Sequence, residues 1–86
     1  MRIVITGIGF RSALGDLTST WQGILDGRSA VQLLQPFPDL PPLPLALIDS
    51  QPQHVLKLTR TVVAEAILDA GLSLPLPNCG VTIGSP

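Results

Sequence analysis

Two short apolar runs set the problem that this chain has to solve. Ile3-Val4-Ile5 leads into Thr6, and Val81-Thr82-Ile83 stands close to the other end. Both are rich in β-branched residues, and neither alternates cleanly between apolar and polar. That pattern predicts strands buried on both faces, which need a covering layer on each side. Between the runs the sequence offers two helical patterns and one proline-rich stretch. Two helices and an irregular loop cannot cover both faces of two buried strands. The expectation is therefore an opening strand-helix-loop-helix-strand unit, truncated relative to a finished α/β layer structure.

The helical patterns are well bounded. Leu17, Trp21, Ile24 and Leu25 recur at one face of a helix running from Leu17 to Asp26. Asp16 or Thr18 is placed to accept from its first-turn amides, and Gly27 supplies a left-handed stop. Gly23 inside it costs about 1 kcal/mol against alanine, which points to close helix packing. The second helix spans Val55 to Ala70. Val55, Leu58, Val62, Val63, Ala66, Ile67 and Ala70 form its apolar stripe, with Lys57, Arg60, Glu65 and Asp69 opposite and Gly71 as its stop. Between the helices, "QPFPDLPPLP" holds five prolines in ten residues. Proline removes backbone donors and steers its predecessor away from helix, so Gln35 to Pro44 reads as an extended loop. Its leucines are expected to pack on a neighbour rather than serve as an SH3 ligand. Leu45 to Ile48 reads as a short strand.

Composition narrows the function classes. Of the 86 residues, 45% are hydrophobic, which is not a disordered composition. With one tryptophan, two phenylalanines and no tyrosine, any core is aliphatic. A chain this short buries only roughly 60% of its surface, so its stability is expected to be marginal. The net charge is -1, and Arg2, Arg11, Arg28, Lys57 and Arg60 are scattered. No basic patch suits nucleic acid or an anionic membrane. A single cysteine, Cys79, excludes an internal disulfide framework and fits a reducing compartment. The opening apolar run is too short for a signal peptide core, and nothing approaches the roughly 18 apolar residues of a membrane span. A cytoplasmic location is the expectation.

Gly7, Gly9 and Gly15 follow the first apolar run and invite a dinucleotide reading. That fingerprint needs G-x-G-x-x-G at a helix start, so that pyrophosphate meets free amides. Gly7 and Gly9 fit, but Ser12 stands in the third position and the helix begins later. The ribose-binding acid is also missing, because Asp26 ends a helix instead of a second strand. Cys79 as a nucleophile would need a helix N-terminus or a cationic neighbour, and it precedes a strand pattern instead. The one histidine, His54, sits beside Pro52 at a helix entrance and lacks partners for a metal site. Asp16, Asp26 and Asp39 lie in turns and caps, where aspartate is ordinary. Ser12 and Ser85 stand near glycines but outside the G-x-S-x-G setting of a nucleophile elbow. From the residues, no catalytic, cofactor-binding or metal-ligating constellation is assigned.

Four segments nevertheless carry a resemblance. "IVITGIGFRSALG" resembles V-I-T-G-x-G-x-x-S-x-L-G, and "TWQGILDGRSAV" resembles F-W-x-x-L-L-x-G-x-S-G-I. "EAILDAGL" resembles E-A-L-x-D-A-G-L, and "CGVTIGSP" resembles V-G-V-x-x-G-S/T. In this order and spacing they resemble the N-terminal portion of the β-ketoacyl-acyl carrier protein synthases, the acyltransferases that condense acyl groups with malonyl-carrier protein in fatty acid or polyketide synthesis. The resemblance covers nearly the whole chain, residues 1–86. It implies a partial thiolase-like fold, the opening of an αβαβα layered domain, and for the full-length family a homodimer that works with acyl carrier protein. It implies no cofactor, no nucleic acid and no membrane.

In that family the catalytic cysteine lies in D-T-A-C-S and is assisted by two histidines and a lysine. Cys79 does not match that motif, and His54 has no counterpart, so no catalytic residue carries over. Ala30 replaces the usual glycine after Arg28-Ser29, and Leu40 to Ile48 is richer in proline than the common A-G-E-V strand region. The chain alone is expected to be inactive. The alternative expectation is a small non-catalytic interaction protein, or a split-enzyme subunit that docks to a separately encoded remainder.

Overall fold

The computed structural model describes residues 1–49 and 54–85; Pro52, beside His54, and Pro86 lie outside the described residues. Its elements run α1 (Leu17–Leu25), β1 (Gln32–Leu34), β2 (Leu43–Leu45) and α2 (Val55–Asp69). The architecture is mixed: two helices and a two-stranded antiparallel sheet.

Both helices form where the periodicity places them, and their ends explain why. At α1, the Asp16 carboxylate accepts from the Ser19 amide at 2.9 Å. Asp16, rather than Thr18, is therefore the N-cap. At α2 the cap is His54, whose Nδ1 accepts from the Leu56 amide at 3.1 Å. Both C-termini close in the same way. Gly27 and Gly71 take φ of 70° and 69°, the left-handed conformation that a residue with a Cβ enters only at a cost. At α1, Gly27 and Arg28 donate back to the Ile24 and Gly23 carbonyls at 3.1 and 2.8 Å, and at α2, Gly71 and Leu72 donate to Leu68 and Ile67, both at 3.1 Å. This is the double hydrogen bond of the Schellman motif, which satisfies carbonyls that the helix leaves orphaned.

The strands differ from the sequence expectation. Ile3 to Thr6 and Val81 to Ile83 carry no strand, and Leu45 to Ile48 contributes only its first residue to one. The sheet is instead a hairpin in which Gln32 faces Leu45, Leu33 faces Pro44 and Leu34 faces Leu43. Its connection contains a tight turn in which Leu40 donates to the Phe37 carbonyl at 3.1 Å. Pro38 follows Phe37, the position where its fixed φ favours such a turn. Gln35 braces the same turn by donating its side-chain amide to the Leu40 carbonyl at 2.9 Å. A strand needs a partner at about 4.8 Å. The hairpin finds its own, whereas neither terminal run is paired.

No apolar side chain is fully buried among the described residues, so there is no closed core. The buried residues are Thr20 and Gly23, both on α1. Ile3, Ile5 and Val81 are 88%, 84% and 78% exposed. The radius of gyration is 16.4 Å, against about 12 Å for a compact domain of this length. Leu40 and Leu43, the leucines of the proline-rich stretch, are only partly covered, at 49% and 37% exposed.

Candidate functional site

Gly7 and Gly9 are positioned by α2. A Cβ on Gly7 would overlap the Ala66 carbonyl oxygen and stand 2.6 Å from the Ala70 nitrogen. A Cβ on Gly9 would overlap the Val62 carbonyl. The segment Gly7 to Arg11 thus lies backbone to backbone along the Val62, Ala66 and Ala70 row, positions one turn apart on one helix face. The backbone approaches closely at both glycines, and what it approaches is α2. Gly23, expected to mark helix packing, instead meets the Leu14 side chain and the Arg28 guanidinium of its own flanking loops.

Two carboxylates on α2 hold that segment. Asp69 Oδ2 accepts from the Ile8 amide at 2.9 Å, and Glu65 forms an ion pair with Arg11. Arg11 also donates to the Phe10 carbonyl at 3.1 Å. These contacts argue against the phosphate cradle. The Ile8 amide between the two glycines already serves an anionic acceptor. The neighbouring helix half carries the negative end of its dipole, the wrong sign for a phosphate. The N-terminus of α1 is occupied by the Asp16 carboxylate.

Ser12 forms a structural hub instead of a nucleophile. Its hydroxyl lies 2.6 Å from Thr20 Oγ1 and accepts from the Leu14 amide at 3.0 Å. Its backbone exchanges hydrogen bonds with Gly15 at 2.9 and 3.0 Å. Thr20 adds a 3.3 Å bond to the Gly15 carbonyl. The loop from Ser12 to Gly15 is thereby fastened to α1 by the buried threonine.

The Asp16 carboxyl is held below the usual carboxylate range. The main cause is the Ser19 amide donating to its charged form, helped by the Ser19 side chain and the Arg11 charge and opposed by desolvation. Asp26 is the C-cap of α1 and accepts from the Gln22 side chain at 3.1 Å. Asp39 sits in the Phe37–Leu40 turn.

Cys79 is exposed, and its thiol lies 3.5 Å from the Gly80 carbonyl. It borders an open apolar trough of about 680 Å³ between the Val63 to Asp69 stretch of α2, with its C-cap Ala70, and the chain from Leu72 onward; Thr6, Gly7 and Val81 also line it. His54 caps the opposite end of α2. The helix has 15 residues, which at 1.5 Å per residue puts roughly 22 Å between its ends. Cysteine and histidine are therefore not brought together, and a thiolate-imidazole pair is not available. Among the described residues, no three of His, Cys, Asp and Glu gather as metal ligands would, and no helix is long and apolar enough to cross a membrane.

The sequence reading missed the pairing of the first glycine turn with Asp69 and Glu65. No local signal could have found it, because Ile8 and Asp69 stand 61 residues apart in the chain. Compared with protein-family models, with curated proteins and with solved structures, the chain matches none.

Proposed function

We propose that this chain is a non-catalytic segment of a condensing enzyme of the β-ketoacyl-acyl carrier protein synthase type, seated against the remainder of such an enzyme. The resemblance of its four segments supports the enzyme class. The observation that carries the seating is the uncovered apolar surface: no apolar side chain is fully buried among the described residues, and the two β-branched runs are exposed and unpaired. In this reading Ile3 to Thr6 and Val81 to Ile83 become strands only when neighbouring strands of a thiolase-like layer pair with them. The reaction served is condensation of an acyl group with malonyl-carrier protein in the cytoplasm. Acyl carrier protein and the second protomer are partners of the assembled enzyme, and no residue of this chain performs a chemical step.

The test has two arms. The purified 86-residue chain is assayed for acyl loading and for malonyl-carrier protein decarboxylation, and neither is expected. It is then co-expressed with a chain carrying the D-T-A-C-S cysteine and both histidines, where co-purification and recovered condensation are expected. Turnover by the chain alone, or failure of the two chains to associate, overturns the proposal.

A further inference from the structure

We propose that Gly7 to Arg11 is a strap latched onto α2 by charge, and that its closure builds one wall of the apolar trough. Three features of different kinds meet on this segment. The first is steric: Gly7 and Gly9 rest where any Cβ would strike the main chain of α2. The strap therefore lies flush with the helix but contributes no side chain of its own at those two points. The second is electrostatic. What holds the strap is the Asp69 carboxylate on the Ile8 amide and the Glu65 ion pair with Arg11, one fastening at each end.

The third feature is topological. Thr6 and Gly7, at the start of the strap, line the trough against Ala66 and Ala70. When the strap lifts, that wall leaves with it and the row of small residues on α2 opens to water. Apolar burial resists the lifting only in part, because Ile8 and Phe10 remain 48% and 38% exposed. The two carboxylates supply the polar part of the hold on the strap, and with it the Gly7 side of the trough. A hydrogen bond to a charged acceptor is roughly twice as strong as a neutral one, whereas an exposed ion pair contributes little and weakens with salt. Asp69 is the main latch and Glu65 the salt-sensitive one. This inference does not depend on the enzyme class proposed above.

Amide hydrogen exchange of the full chain tests it. In Asp69→Ala, the Ile8 amide is expected to exchange about tenfold faster while the Ala70 amide, bonded within α2, keeps its protection. The through-space signal between Gly7 and the Ala70 methyl group disappears in the same variant. Glu65→Gln produces a smaller rise in Ile8 exchange, and the acceleration that high salt causes in the unaltered chain is lost. Unchanged Ile8 exchange in both variants overturns the latch. So does acceleration of Ile8 and Ala70 by the same factor in both variants, since the strap would then be a passive part of the helix.

Discussion

Asp16 shows how much one side chain decides. Its carboxylate stands alone at the start of α1, accepts from Ser19 and is held below its ordinary value of 3.8. A carboxyl with a depressed folded pKa stabilises at pH above the unfolded value and loses that contribution as pH falls through the folded one. The first turn of α1 is accordingly expected to loosen in acid, below pH 3.8. Asp16→Asn keeps an acceptor but cannot titrate, so its Ser19 amide should exchange at a rate free of that acid step. An identical acid step in the asparagine variant would show that another group controls the turn. Aspartate before a helical pattern is readable in the sequence, which narrowed the cap to Asp16 or Thr18. The bond from Ile8 to Asp69 was not, because it joins residues 61 apart.

At the scale of elements, the helices were legible and the strands were not. A helix satisfies its backbone internally, so period, cap and glycine stop suffice to place it. The two ends of α1 and α2 came out within a residue of the sequence reading for this reason. A strand takes its hydrogen bonds from another strand, and the β-branched runs at 3–5 and 81–83 contain no information about a partner. The small hairpin was hidden for the opposite reason. Pro44 demotes its own segment as a strand, yet it is tolerated in a two-stranded ribbon whose outer edges make no ladder bonds.

The glycine stops can be tested as elements. Gly27 has φ of 70° and nothing within 4 Å, so Gly27→Ala is expected to destabilise the end of α1 by about 1 kcal/mol through backbone strain alone. Gly80 is equally open but has no positive φ, so Gly80→Ala should leave helix content unchanged. Far-ultraviolet circular dichroism across a temperature series separates the two. Equal losses in both variants would remove the left-handed stop as the cause.

For the whole molecule, the governing fact is that its apolar surface is not gathered into a core. Cooperative unfolding arises when side chains bury one another and must be exposed together. With none of the described apolar side chains fully buried, the isolated chain is expected to lose structure gradually on heating, with no sharp calorimetric peak. Addition of a correct partner should convert the same trace into a single transition at higher temperature. A sharp two-state peak from the isolated chain would contradict both the exposure and the seating proposed from it. The unpaired apolar runs also favour self-association. Light scattering is thus expected to rise with concentration before any thermal event.

The seat beneath Gly7 and Gly9 is built from main-chain atoms, and this fixes how the gene can vary. A contact made to a carbonyl is indifferent to the side chain on the same residue. At Val62 only the carbonyl is used, so isoleucine or leucine there leaves the seat intact. Ala70 also offers its methyl group to the first glycine, which caps the size allowed at that position. A library of random substitutions should therefore divide this small region into two columns that accept nothing, one that accepts only small residues, and one that is permissive.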